Sequence, residues 1–240
     1  ANDGACSFQE VFVVTVTAVN DPPVTVTESL FVNEGGTVTI TTNSATSLLA
    51  NDTDTEGDPI TAIIIIGNGP FNGTLSLLSS GTFSYTHGGS ETTTDTFQYK
   101  TNDGFSDGNT VTVTISINPV NDCPVWNNSA VAAQINGPTS NEDFSPWFFL
   151  ANLQSLINDP DNAAHTFTVT HTNPEIVNIY INPANNRLSY SSILNRHGST
   201  TGTITISDGI CELYQPISYT VNSVNDCPTL DNPIADVSVA

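Results

Sequence analysis

Across residues 22–122 apolar and polar positions alternate over short runs, as in Val111-Thr-Val-Thr-Ile-Ser-Ile117, where one face is aliphatic and the other hydroxylated. Period two is the spacing of a half-buried β-strand, not of a helix. Runs of this kind, rich in β-branched and aromatic residues, predict strands near 24–32, 37–42, 60–66, 73–78, 82–86, 95–101 and 109–117. They are interrupted at Glu34-Gly35-Gly36, Ser80-Gly81 and Asp103-Gly104, where tight turns belong. The stretch 123–226 follows suit, with Asn185-Asn186 as a hairpin turn and Thr201–Ile206 as the sixth strand. Seven short strands in about 100 residues make an all-β, Greek-key β-sandwich. Trp126 and the Trp147-Phe148-Phe149 cluster read as core anchors, because a small sandwich needs its aromatic side chains inside.

The pattern is also repeated. Val19-Asn-Asp-Pro-Pro23 returns as Val120-Asn-Asp-Cys-Pro124 and Val224-Asn-Asp-Cys-Pro228, which sets Asp21, Asp122 and Asp226 101 and 104 residues apart. A second mark keeps the same phase: Asn2-Asp-Gly4, Asn102-Asp-Gly104 and Ser207-Asp-Gly209. Two marks with one period indicate tandem domains. The expected division is 1–21 as the C-terminal strand of an incomplete repeat, 22–122 and 123–226 as whole sandwiches, and 227–240 as the first strand of another repeat.

Charge narrows the function. Three basic residues, Lys100, Arg187 and Arg196, face 24 carboxylates, for a net charge of −21. That balance removes any phosphate-binding footprint and with it nucleic acid, and leaves most carboxylates to solvent cations. The longest apolar run, Ala62–Ile66, is strand-length and far below the roughly 18–20 residues of a membrane span. Scarce lysine, abundant Thr, Ser and Asn, and sequons at Asn51, Asn72 and Asn127 suggest an extracellular or cell-surface protein able to carry covalent glycans.

Ala50-Asn-Asp-Thr-Asp-Thr-Glu-Gly-Asp58, Thr101-Asn-Asp-Gly104 and Val120-Asn-Asp-Cys-Pro-Val125 resemble the cadherin-like tandem repeats of large bacterial surface adhesins. The resemblance covers nearly the entire chain and is closest in 22–122. It implies a cadherin/immunoglobulin-like sandwich with calcium at the domain junctions. The second repeat departs from it, since Asn158-Asp-Pro-Asp161 replaces the longer acidic loop and Asn141-Glu-Asp143 stands where the first has Asn33-Glu34.

The ligand set also follows from strand parity. With strands alternating in direction, the loops after the second and sixth strands lie at the pole where the chain enters the domain. They carry Asp52, Asp54 and Asp103, facing Asn20 and Asp21 of the linker. The first turn, with Glu34, lies at the opposite pole beside Asn121 and Asp122; Asp159, Asp161 and Asp208 occupy the N-terminal pole of the second repeat, and Asp226 marks its end. Hard oxygen ligands from several segments suit Ca2+, and magnesium's stricter octahedral shell less so. The competing reading is that these Asp and Asn residues only cap turns.

Catalytic chemistry finds little support. Asp52 and Asp54 belong to one loop and do not offer the opposed placement of glycoside hydrolysis. His87, His165, His171 and His197 lack metal-ligand spacing, and no nucleophile elbow or phosphate-cradling loop occurs. His165 and His171, flanking a strand, read as surface or packing residues. Cys123 and Cys211 occupy the start and the last turn of one repeat, which meet at one pole, so they are expected to form a disulfide. Cys227 and Cys6 hold the same two roles in separate incomplete repeats and are expected to bond between neighbouring chains. The expected function is a structural subunit of a calcium-stiffened filament or stalk, with copies of itself end to end as partners. A cell-surface adhesin module binding a glycan or protein is the alternative, since the fold serves both.

Overall fold

The computed structural model describes residues 9–17, 19–127, 135, 139–142, 148–161 and 164–227. The chain divides into two compact units, 1–120 and 121–240. The first holds β1 (Ser29–Asn33), β2 (Thr37–Val38), β3 (Thr61–Ile64), β4 (Gly73–Leu77), β5 (Phe83–His87), β6 (Thr94–Asn102) and β7 (Val111–Asn118). One sheet runs β1-β7-β6-β3 and the other β2-β5-β4; every pairing is antiparallel except that of β1 with β7.

Alternation builds the core. Along β6, Asp95, Phe97, Tyr99 and Thr101 are buried while the residues between them are partly exposed. Phe97 and Tyr99 share this core with Leu30, Val32, Val113, Ile115 and Ile117 of their own sheet and with Phe83 and Tyr85 of the facing one. The polar members of the buried row are satisfied. Asp95 accepts from the backbone N–H of Phe71 and Asn72 at 2.9 Å each and from the Tyr85 hydroxyl at 2.8 Å. These donors hold its carboxyl below the usual range against the opposing effect of burial, which is the largest single influence.

Three strands are clearly shorter than the alternation predicts, those expected over 24–32, 37–42 and 60–66, the last of which is confined to Thr61–Ile64. Residues 24–28 do not join β1; Val24 bridges to Thr53, Thr25 N–H donates to Asn109 Oδ1 and Val26 N–H to Asp52 Oδ1 before the chain pairs with β7. β2 stops at Val38 because the backbone turns back on itself at 41–45, where Thr41 N–H donates to Ala45 O.

The second unit holds β8 (Val125–Trp126), β9 (Thr139–Asn141), β10 (Phe148–Asn152), β11 (Ile157–Asn158), β12 (Thr166–His171), β13 (Val177–Asn182), β14 (Arg187–Ser192), β15 (Gly198–Ser207) and β16 (Glu212–Asn222). Its sheets run β9-β16-β15-β12 and β10-β14-β13, with β9 parallel to β16, so the first unit's strand order recurs strand for strand. The added pair β8–β11 extends the single bridge that Val24 makes with Thr53. Asn186, at φ 53°, closes the β13–β14 hairpin. Leu153, Ile181, Leu188, Ile204, Ile206 and Ile217 form the core, with Trp126 packed against it. Trp147 lies outside the described residues.

Residues 9–17, expected to be the closing strand of an incomplete repeat, form no paired strand here. The rest of that expectation, and the expected first strand in 227–240, falls outside the described residues apart from the start, 19–21 and 227. No helix among the described residues is long and apolar enough to cross a membrane.

Candidate functional site

The N-terminal pole of the first unit is organised by the turn after β6. Asp103, only 6% exposed, accepts through Oδ1 from the N–H groups of Phe105 at 2.7 Å and Ser106 at 2.6 Å. Its Oδ2 accepts from Asn20 Nδ2 at 2.9 Å, tying the linker to the turn. The Ser106 N–H and the Asn20 amide pull the Asp103 carboxyl below its ordinary pKa. Gly104 supplies the positive φ of 97° that the turn needs. Beside it, Asp21 N–H donates to Glu56 Oε2 at 3.1 Å, a residue the sequence reading did not single out.

The acidic loop before β3 divides its carboxylates between two tasks. Asp52 turns into the unit, accepting from Val26 N–H at 2.7 Å and from the buried Tyr99 hydroxyl at 3.1 Å. Glu28, also missed, is 4% exposed. Burial pushes its carboxyl pKa up, and the nearby Asp52 charge adds to the rise; Asp52 is itself raised by burial. Asp54 Oδ1 caps the loop, accepting from Glu56 N–H and Asp58 N–H at 3.0 Å each. Its Oδ2 is buried without a hydrogen-bond partner.

The opposite pole of this unit repeats the theme. Glu34 N–H donates to Asn118 O at 2.9 Å, and Glu34 Oε2 accepts from Val120 N–H at 3.2 Å. Its Oε1 is buried and unpartnered. Ligand oxygens of Glu34 and Glu91 lie within 4.8 Å of each other. Glu91 stands in a loop of Ser, Thr and Gly, where no repeat marked it.

The second unit reproduces the frame with other side chains. Asn121 Nδ2 donates to Asp208 Oδ2 at 3.0 Å, and Asp208 Oδ1 accepts from Ile210 N–H at 2.7 Å and Cys211 N–H at 2.6 Å. The Asn121 amide first, then these N–H groups, lower the Asp208 carboxyl to about 2. Asp122 N–H donates to Asp161 Oδ2 at 2.6 Å, as Asp21 does to Glu56. Asp159 is paired: its Oδ2 meets His165 Nε2 at 2.8 Å, both side chains 2% exposed. His165 is therefore an interior partner rather than a surface residue, and His171 ends β12. At the far pole, Glu142 Oε1 accepts from Val224 N–H at 2.6 Å and its Oε2 meets His197 Nδ1 at 3.2 Å. Asp226 is exposed beyond it.

The cysteines and sequons are also placed. Cys123 and Cys211 are joined by a disulfide, with Cα atoms 5.4 Å apart, beside Asn121 and Asp208. Cys227 is free and exposed, and Cys6 lies outside the described residues. Asn51 is exposed, whereas the Asn72 amide donates to Thr94 O at 3.3 Å and the Asn127 amide to Ser155 O at 2.9 Å.

Residues 20–119 match the family model of the bacterial cadherin-like domain. Among solved structures the chain is similar to domains EC22-24 of mouse cadherin-23, with 18% identity over 87% of this chain and 69% of that one, at a TM-score of 0.53. It is similar also to extracellular cadherin domains 1–5 of protocadherin gamma B2, with 16% identity over 88% of this chain and 41% of that one, at a TM-score of 0.55. An endo-fucoidan hydrolase from glycoside hydrolase family 107 aligns with 18% identity over 85% of this chain at a TM-score of 0.33, and the chain spans 29% of that enzyme's length. None of the curated proteins compared matches. At such identities the likeness to solved structures concerns fold alone. Residues 20–119 are a bacterial cadherin-like domain, and the second unit repeats its β-sandwich.

Proposed function

We propose that the chain is a structural segment of an extracellular filament or stalk in which calcium bound at the poles of the sandwiches stiffens the string of domains. The observation that carries this reading is a pair of orphaned oxygens, Asp54 Oδ2 and Glu34 Oε1, one at each pole of the first unit, each buried with no hydrogen-bond partner. A buried carboxylate oxygen left unpaired is costly, and a cation removes the cost. The donor set fits, since carboxylates with nearby Asn side chains offer the hard oxygen ligands that calcium prefers. Asp54 with Asp21, Asp103 and Glu56 would hold the ion at the N-terminal pole, and Glu34 with Glu91 at the other. Asp52 supports this set through Val26 and Tyr99.

Calcium titration by calorimetry, together with melting curves in calcium and in chelator, tests the proposal. Calcium at 100 times its Kd should stabilise the first unit by about 2.7 kcal/mol for each site filled. Asp54→Asn and Glu34→Gln should each abolish part of that gain. Identical melting in calcium and chelator would sink the reading.

Copies are proposed to join end to end, with the exposed Cys227 of one bonded to Cys6 of the next. Such a heterologous contact propagates as an open filament. A non-reducing gel should show a ladder that collapses on adding reductant; a monomer band without reductant refutes the link. Asn51 and Asn127, the two exposed sequon positions, are the favoured glycan acceptors.

A further inference from the structure

One edge of the first unit is open and unguarded. β4 is the outermost strand of the sheet β2-β5-β4, and β3 is the outermost strand of the facing sheet. A groove beside them is lined by Ile64, Ile66, Pro70, Leu75 and Leu77. Leu78 N–H donates to Thr82 O and Gly88 N–H to Asn72 O, so the even-numbered positions of β4 bond to β5. The main-chain groups of Gly73, Leu75 and Leu77 therefore point away from their sheet. Proteins normally blunt such an edge with charged side chains or proline, and β4 carries neither. Pro59–Ser90, which holds β3, β4 and β5, is the longest stretch of the chain without Asp, Glu, Lys or Arg. Within it Ile66, Phe71 and Leu78 are 91, 74 and 58% exposed. The second unit differs at the same edge: Glu175 stands just ahead of β13, and Arg187 lies across from its last residue.

We propose that this edge pairs with itself, so that two copies of the chain join side by side with β4 antiparallel to β4. A twofold axis at Leu75, the middle residue of the strand, sets Leu75 beside its own copy, Gly73 beside Leu77 and Thr74 beside Ser76. The outward main-chain groups then form the hydrogen-bonded pairs of the new ladder, and the apolar side chains around the groove are withdrawn from water. Charge selects a second copy as the occupant. At a net charge of −21, two copies repel wherever their carboxylates approach, and this side lets them meet without doing so. A cationic partner would seek the carboxylates instead. The contact is lateral, so it goes beyond the end-to-end reading and does not depend on calcium.

Sedimentation velocity and hydrogen exchange on the full-length chain test the pairing, in reductant and chelator so that neither Cys227 nor metal contributes. Over a concentration series the chain should pass from monomer to dimer, and added salt should favour the dimer by screening the repulsion. The amides of Leu75 and Leu77 should exchange freely in dilute solution and slow as the dimer forms. Thr74→Lys with Ser76→Lys, both at exposed positions, sets like charges opposite one another and should abolish the dimer without lowering the monomer's Tm. Thr74→Lys with Ser76→Glu sets opposite charges across the same axis and should keep the dimer. A chain that stays monomeric at every concentration and salt overturns the proposal. So does a dimer that the paired lysines leave intact, or one that both double variants abolish alike.

Discussion

Glu28 and Asp52 show how one residue can reverse the usual sign of a carboxylate's contribution. Burial raises the pKa of both, and the Asp52 charge raises Glu28 further. The folded unit thus holds protons that the unfolded chain releases between the unfolded and folded pKa values. The two charges cost stability at neutral pH, and the cost is relieved as pH falls through the folded pKa. Glu28→Gln, measured in chelator, should raise the Tm of the first unit at pH 7, with the gain shrinking toward about pH 4, where the wild-type carboxyl is protonated as well. A Tm lowered at pH 7 but not near pH 4 would show that the ionised form of Glu28 stabilises the unit instead. Asp95 behaves in the opposite way, because backbone donors and Tyr85 meet its charge.

At the scale of the element, the turn after the sixth strand and the linker before the domain act as one device in both units. Asn20 with Asp103, and Asn121 with Asp208, make the same amide-to-carboxylate bond. The units differ in what meets the remaining charge. In the first, buried oxygens of Asp54 and Glu34 are unpartnered; in the second, His165 meets Asp159 and His197 meets Glu142. Chelator is therefore expected to lower the melting of the first unit more than that of the second. His165→Ala should destabilise the second unit by about 1–3 kcal/mol, the cost of stranding a buried acceptor. Added calcium should recover part of that loss. A calcium-independent loss would show that His165 serves packing alone, and an unchanged Tm would show that Asp159 needs no partner. Differential scanning calorimetry resolves the two units if their transitions are separate.

For the whole molecule, the disulfide is the largest asymmetry between the units. Cys123 and Cys211 close a loop spanning 88 positions, where the first unit has Pro22 and Ser106. Loop-closure entropy assigns such a link on the order of 4 kcal/mol. Reduction, or Cys123→Ser with Cys211→Ser, should lower the second transition by that amount and leave the first in place. Equal loss in both transitions would mean that the units unfold as one.

The fold was legible in the sequence because β-strand alternation is a local property: each Val-Thr or Phe-Gln-Tyr step records which face is inside, as β6 and β7 show. The repeat marks likewise identified Asp103 and Asp208 as equivalent, and the structure gives them equivalent partners. Tertiary structure alone decided which carboxylates are in water and which are not. Glu28 lies in a Thr-Glu-Ser run that could face either way, and only its place under Asp52 and Tyr99 buries it. Glu56, Glu91, His165 and His197 carry no repeat signature, so their roles appear only when distant segments meet at a pole. Local pattern records the face a residue occupies; the charge balance of a pole is a sum over segments tens of positions apart, and chain proximity does not encode that sum.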